Sequence, residues 1–245
     1  VKASPAQQKE LLRLQALDTR LQQTQHQTKA LPQHAELAAL GTEAEKTRTT
    51  LAARTGELED VRIELGRIES DVDVVEKRIA RDTERVEHTS SVKDVQALET
   101  ELAALRKRHT DLEEIELAVM ERLEEREAAV AEVETVRDAL ADRISEAEKA
   151  RDIRLAELNR ELGDLARDRE TIAATLTEEL RALYEKRRVV GRGNAAALLR
   201  ARTCSGCTMT LTGSDLESVR SAAADEVVFC PDCGAILVRT EESGI

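Results

Sequence analysis

Four cysteines are the whole thiol content of this 245-residue chain, and they stand as two Cys-x-x-Cys pairs, Cys204 with Cys207 and Cys230 with Cys233. Two residues between cysteines let both thiolates turn toward one ion while the backbone N–H groups of the turn point at the sulfurs. Each pair is therefore half of a tetrahedral site. In Cys230-Pro231-Asp232-Cys233-Gly234, Pro231 sets a turn dihedral and Gly234 can take the positive φ that closes the knuckle. Gly206 is expected to serve Cys204-Ser205-Gly206-Cys207 in the same way. The spacing predicts one structural Zn2+ on Cys204, Cys207, Cys230 and Cys233. Iron uses similar paired knuckles, and two disulfides are the competing reading where thiols are oxidised. A tetrathiolate leaves no coordination position open, so it holds a fold together and activates no water.

The elements that must position these cysteines read in order along the C-terminal segment. Ala195 to Thr203 is expected to be one strand entering the first knuckle. Ser214-Asp215-Leu216-Glu217 has the form of a capping box for a short helix through about Ala222. Val227 to Phe229 leads into the second knuckle, and Ile236, Leu237 and Val238 lead out. A segment this short with so few large apolar groups depends on its metal for stability.

The preceding residues differ in kind. Charged residues are 35% of the chain and its aromatics are only Tyr184 and Phe229, which points to a long Leu/Val/Ile seam in place of an ordinary core. Leu51, Leu58, Leu65, Val72, Ile79 and Val86 recur at heptad spacing, with Val61, Ile68 and Val75 between alternate members. Carried back through Leu37, Leu40 and Ala44, this first helix is expected over about 33–86. Thr89, Ser90 and Ser91 interrupt it, and Ser91 with Asp94 reads as the cap of a second helix. That helix carries Leu102, Leu105, His109, Leu112, Val119 and Leu123, then Leu140 and Ala147. It shifts by four residues, resumes at Leu155, Leu158, Leu162, Leu165 and Leu176, and is expected to reach about Arg188. A reversal near Thr89 sets Pro32 opposite residue 146, so the two irregularities face one another, and it brings Leu11, Leu14, Leu17 and Leu21 beside the later part of the second helix. The predicted fold is mainly α: a long antiparallel coiled-coil hairpin over 1–188, with its turn at about 87–91 and irregularities near Pro32 and 147–155. A basic, glycine-containing linker over 189–194 and a β-rich zinc ribbon over 195–245 complete it.

Charge separates these parts. Residues 181–202 carry seven basic groups and one acidic, whereas residues 203–245 carry two basic and seven acidic within a chain of net charge −12. Arg187, Arg188, Arg192, Arg200 and Arg202 are candidate contacts for nucleic acid or another anion. The simpler reading is that cations at a helix C-terminus favour its dipole. Base stacking needs aromatic platforms, and the ribbon offers only Phe229. Four thiolates around a divalent ion add a charge of about −2 to an already acidic segment, which suits a protein client better than a nucleic acid. No catalytic triad, paired-carboxylate cleft or phosphate-binding loop stands out, so no enzyme activity and no small-molecule substrate are expected. His109 reads as a tolerated seam residue.

Ser90-Ser91-Val92-Lys93-Asp94 followed by Ala97-Leu98-Glu99, together with Cys204, Cys207, Cys230, Pro231, Cys233, Gly234, Ile236 and Leu237 in this order, resembles the bacterial C4-type zinc-ribbon family of coiled-coil hairpin proteins. The resemblance implies a cytoplasmic adaptor without known catalysis, with zinc ligation carried over to the four cysteines. Some members are associated with an alternative sigma factor, with flagellar or secretion gene control, and with binding of a messenger RNA. The chain's opening Val1-Lys2-Ala3-Ser4-Pro5 has no apolar run, and no segment reads as a membrane span, so a cytoplasmic protein without membrane partners is expected. A protein partner is the favoured client, nucleic acid the alternative, and a homodimer is compatible with the seam.

Overall fold

The structure is a computed structural model that describes residues 1–245. Helices α1 (Pro5–Lys29), α2 (Pro32–His88), α3 (Val92–Thr175) and α4 (Glu178–Val190) precede a small sheet of strands β1 (Ala196–Arg200), β2 (Thr203–Cys204), β3 (Val228–Phe229) and β4 (Ile236–Val238), with helix α5 (Gly213–Ser221) between β2 and β3. The chain forms two compact units, one of Ala35–Glu148 and one of Val1–His34 with Lys149–Ile245. No helix is long and apolar enough to cross a membrane.

The Ala35–Glu148 unit is an antiparallel helical hairpin. Leu40, Leu58 and Val61 from α2 and Leu98, Leu102, Leu112, Val119 and Leu140 from α3 are buried, as the heptad seam requires. Ion pairs Glu43–Arg143, Glu64–Arg122, Arg62–Glu127 and Arg78–Glu101 run from one helix to the other. Each exposed pair contributes little alone, but their order is that of antiparallel helices. At the turn the Ser91 hydroxyl accepts from the Asp94 N–H at 3.4 Å, and the Ser91 carbonyl accepts from Val95 at 3.0 Å.

Two polar residues interrupt this seam. Asp82 has a side chain only 1% exposed, held by Arg85 at 3.1 Å with Arg78 and Arg81 beyond. His109 is half-buried, with Nε2 3.1 Å from Glu76 and Nδ1 3.2 Å from Glu113. The hydrogen bond to Glu76 raises the imidazole pKa above its ordinary value, against a smaller opposing effect of burial. A raised folded-state value stabilises the hairpin fully below the ordinary imidazole pKa, and that contribution is lost as pH rises through the raised one. After correction for the intrinsic base catalysis of exchange, amide protection around His109 should therefore fall from mildly acidic to mildly alkaline pH, and H109Q should flatten that protection profile. A pH-independent wild-type profile would refute the imidazolium clamp.

In the other unit, α1 opens with a complete capping box. Ser4 accepts from the Gln7 N–H, Gln7 returns a bond to the Ser4 N–H, and Pro5 follows at a position that needs no donor. Pro32 does not bend a continuous helix. Helix α1 closes at Lys29, and Pro32 is the first residue of α2, where its missing N–H costs nothing. The second long helix also stops short of Arg188. Thr177 adopts extended dihedrals (φ −64°, ψ 151°) and accepts from the Leu180 N–H at 3.4 Å, starting α4 with Glu178 and Glu179 in its first turn.

The sheet order is β2-β1-β4-β3. Strands β1 and β4 run parallel with Ala196 opposite Ile236, while β3 pairs antiparallel with β4 and β2 with β1. The expected single strand over 195–203 is thus a hairpin, turned by Ala201 and Arg202 at φ 45° and 64°. The expected capping box at Ser214 is likewise absent: α5 starts at Gly213, and its preceding Thr212 makes no side-chain cap.

The boundary expected at 189–194 does not divide the packing. Leu11 and Leu14 of α1, Leu180 and Tyr184 of α4, and Ala195, Ala196, Val227 and Ile236 of the ribbon share one core. Residues 189 and 190 belong to α4. The remaining turn is tied down, with Gln15 Nε2 donating to the Gly193 carbonyl at 2.8 Å and Gln15 Oε1 accepting from the Ala195 and Ala196 N–H groups at 2.7 and 3.1 Å.

Candidate metal centre

Both knuckles repeat one backbone pattern. The Cys204 N–H donates to the Met209 carbonyl and the Thr208 N–H to the Cys204 carbonyl; the Cys230 N–H donates to Ala235 and the Gly234 N–H to Cys230, all at 2.8–3.0 Å. The fifth position of each loop closes the turn with positive φ, Gly234 at 72° and Thr208 at 62°. Gly206 therefore has a different task from the one its position suggested. A Cβ there would come within 2.5 Å of the Asn194 amide, so the glycine permits close packing.

The sheet sets the two loops against each other. β1 and β2 deliver Cys204, β3 delivers Cys230, and β4 leaves Cys233. All four sulfurs lie within 4.8 Å of one another, with Cys204–Cys233 at 3.9 Å and Cys207–Cys230 at 3.6 Å. A tetrahedral zinc with bonds of about 2.3 Å requires sulfur separations of about 3.8 Å, so the donor set fits. Burial pushes the free Cys233 thiol up to about 12 and raises that of Cys204, whereas the Met209 backbone N–H lowers that of Cys207. A bound divalent cation favours the thiolate forms that burial alone opposes. Zinc in such a site supplies folding free energy and no reactive position.

Arg239 anchors the approach to the second knuckle. Its guanidinium donates to the carbonyls of Val219, Ala222, Ala223 and Glu226 at 2.6–3.1 Å, gathering the end of α5 and the loop before β3. Nothing in its local sequence announces this, because the four acceptors are backbone groups brought close only by the fold.

The five neck arginines do not form one surface. Arg188 pairs with Glu185 at 2.8 Å, Arg200 pairs with Glu242 at 3.1 Å, and Arg187 lies over the Phe229 ring at 4.4 Å from its centroid. Arg192 and Arg202 are exposed.

Beside the neck sits a polar cluster that the leucine pattern conceals. Asp18, whose side chain is 4% exposed, accepts from Arg169 Nε at 2.6 Å and from the Tyr184 hydroxyl at 2.7 Å, and Arg169 also bonds Glu185. Burial alone would raise the Glu185 pKa, but its bonds to Arg169 and Arg188 outweigh burial and hold it below the usual carboxylate range. One signal was available: Leu11, Leu14, Asp18 and Leu21 follow the alternating three- and four-residue spacing of a seam, which makes Asp18 a carboxylate at a core position.

Residues 14–192 match the CT398-like coiled coil hairpin domain, and residues 203–237 match the C4-type zinc ribbon domain. The Mycobacterium tuberculosis protein Rv2229c is 35% identical over 242 residues, covering 98% of each chain, and the Mycobacterium leprae protein ML1638 is 26% identical over 90% of this chain and 95% of its own. A solved structure from Mycobacterium smegmatis has a TM-score of 0.86 at 34% identity, covering 98% of this chain and 100% of that one. CT398 from Chlamydia trachomatis shares the fold at TM-score 0.63 and 21% identity, over 95% of this chain and 97% of that one. With the hairpin domain matched over most of its length and the ribbon cysteines gathered for one structural zinc, the chain belongs to the CT398-like family of coiled-coil hairpin proteins with a C4-type zinc ribbon.

Proposed function

We propose that this protein is a cytoplasmic, non-catalytic adaptor in which Cys204, Cys207, Cys230 and Cys233 ligate one zinc and the ribbon so stabilised is presented to a protein partner. The observation that carries the choice of client is the use of the neck arginines. Arg187 and Arg188 are half-buried and engaged within the chain, and the exposed Arg200 faces Glu242, which leaves Arg192 and Arg202 of the five without a neighbouring carboxylate in an ion pair. The ribbon itself is acidic, and its single aromatic ring is covered by Arg187. Both features disfavour the stacking and counterion release on which nucleic-acid binding depends.

Affinity capture with the full chain from the native cytoplasm, with and without nuclease, tests this reading. A defined protein should be retained after nuclease treatment and released by Cys204→Ser. Loss of all captured material on nuclease treatment, with binding that falls steeply with salt and disappears in R192A/R202A, would instead identify a nucleic-acid client.

A further inference from the structure

Arg187 is half-buried, and its Nε is sealed from solvent without a hydrogen-bond partner. The guanidinium rests on the Phe229 ring at 4.4 Å, and a Cβ added to Gly234 would stand 3.2 Å from its Nη1. Phe229 immediately precedes Cys230, and Gly234 immediately follows Cys233. The cation is therefore seated against both ends of the second knuckle.

An arginine drawn partly out of water normally finds a carboxylate, because a ring face returns only part of the hydration it loses. The adjacent Arg188 follows that rule with Glu185, whereas Arg187 turns to the knuckle. The knuckle carries no carboxylate toward it in any ion pair of the chain, but a zinc held by four thiolates has a charge of about −2. That is the anion the arginine otherwise lacks.

We infer that Arg187 is the counter-ion of the zinc–thiolate centre, a positioning residue through which the metal holds α4 against the ribbon. This rests on the reading that the four cysteines ligate zinc. With zinc bound, the charge on the sulfurs keeps the guanidinium between Phe229 and Gly234. With zinc gone, the zinc–thiolate charge is gone from the knuckle and the α4 contact loosens. Groups outside the ligand shell commonly change metal affinity by about 10–100-fold, which sets the size of the expected effect.

The test is the rate of zinc transfer from the loaded full chain to a chromogenic chelator, compared among wild type, R187M and R187K. R187M keeps much of the side chain's length and apolar packing but removes the charge, and it should release zinc about tenfold faster. R187K keeps the charge but loses the planar stacking on Phe229, so it should release zinc more slowly than R187M, between that variant and wild type. Equal rates for wild type and R187M, or equally fast release from R187M and R187K, would overturn the counter-ion role, the latter by assigning the effect to packing. Should R187M fail to fold, F229L decides: removing the ring that seats the cation should speed transfer by about threefold, and an unchanged rate overturns the proposal. A chain that takes up no zinc would overturn the underlying ligand assignment, which metal analysis before chelation reads separately.

Discussion

Removing zinc with a chelator is expected to unfold the sheet and its knuckles while the Ala35–Glu148 hairpin remains helical. The ribbon's strands are two to five residues long, and its core cluster is largely cysteine, alanine and a few aliphatic groups, too little to fold alone. Structural zinc contributes an apparent free energy of about 10–16 kcal/mol at neutral pH, comparable with the whole stability of a typical domain. Amide protection over Ala196–Val238 should therefore be lost on chelation and recovered on adding zinc. Because Leu11, Leu14 and Tyr184 share a core with Ala196 and Ile236, protection in α1 and α4 should fall as well. The hairpin has its own seam and should keep its protection. If residues 196–238 exchange at the same rate after complete metal removal, zinc is not what holds the ribbon.

The second large effect is expected at Asp18. D18A removes the acceptor of the Tyr184 hydroxyl and one of the two carboxylates that hold Arg169, leaving a partly buried cation with Glu185 alone. Breaking one partner from a buried charge network costs about 3–5 kcal/mol. Tyr184 reports on it directly, since the chain has one tyrosine and no tryptophan, so its fluorescence follows this unit selectively during urea unfolding. A loss below about 1 kcal/mol would show that the network is ornamental to stability. Burial first, and the bond to Asp18 second, raise the Tyr184 pKa above that of a free phenol. The stabilisation is complete below the ordinary phenol range and is lost as pH rises through the raised value. In D18A the phenol should ionise at lower pH than in wild type, readable from its ultraviolet absorbance.

Much of this was legible in the residues. Heptad periodicity located the hairpin, Thr89–Ser91 located its turn, and the cysteine spacing located the metal, because each is a local pattern with one economical geometry. The structure departs from the sequence pattern where tertiary contacts set the outcome. Thr177 caps α4, yet Leu176 and Leu180 continue the apolar stripe across it, so periodicity alone runs straight through the break. Ala201 and Arg202 turn the β1–β2 hairpin in left-handed conformations that neither residue advertises. Gly191 and Gly193 make residues 189–194 read as a linker, whereas Gln15, some 180 positions earlier, fixes the turn through its side-chain amide. The basic run is plain in the sequence, but its partners, Glu185, Glu242 and Phe229, are brought to it only by the fold.

Gln15 also bears on the order of assembly. Its partners at 193, 195 and 196 lie beyond the entire hairpin, so α1 emerges from the ribosome long before the strands that complete its hydrogen bonds exist. The Ala35–Glu148 hairpin closes through a short turn between helices adjacent in sequence and can assemble during synthesis. The unit containing α1 must wait for the last cysteine and its metal. Until then, the apolar face of Leu11 and Leu14 lacks its ribbon partners, which makes zinc supply a condition for burying the first helix to be made as well as for closing the last loop.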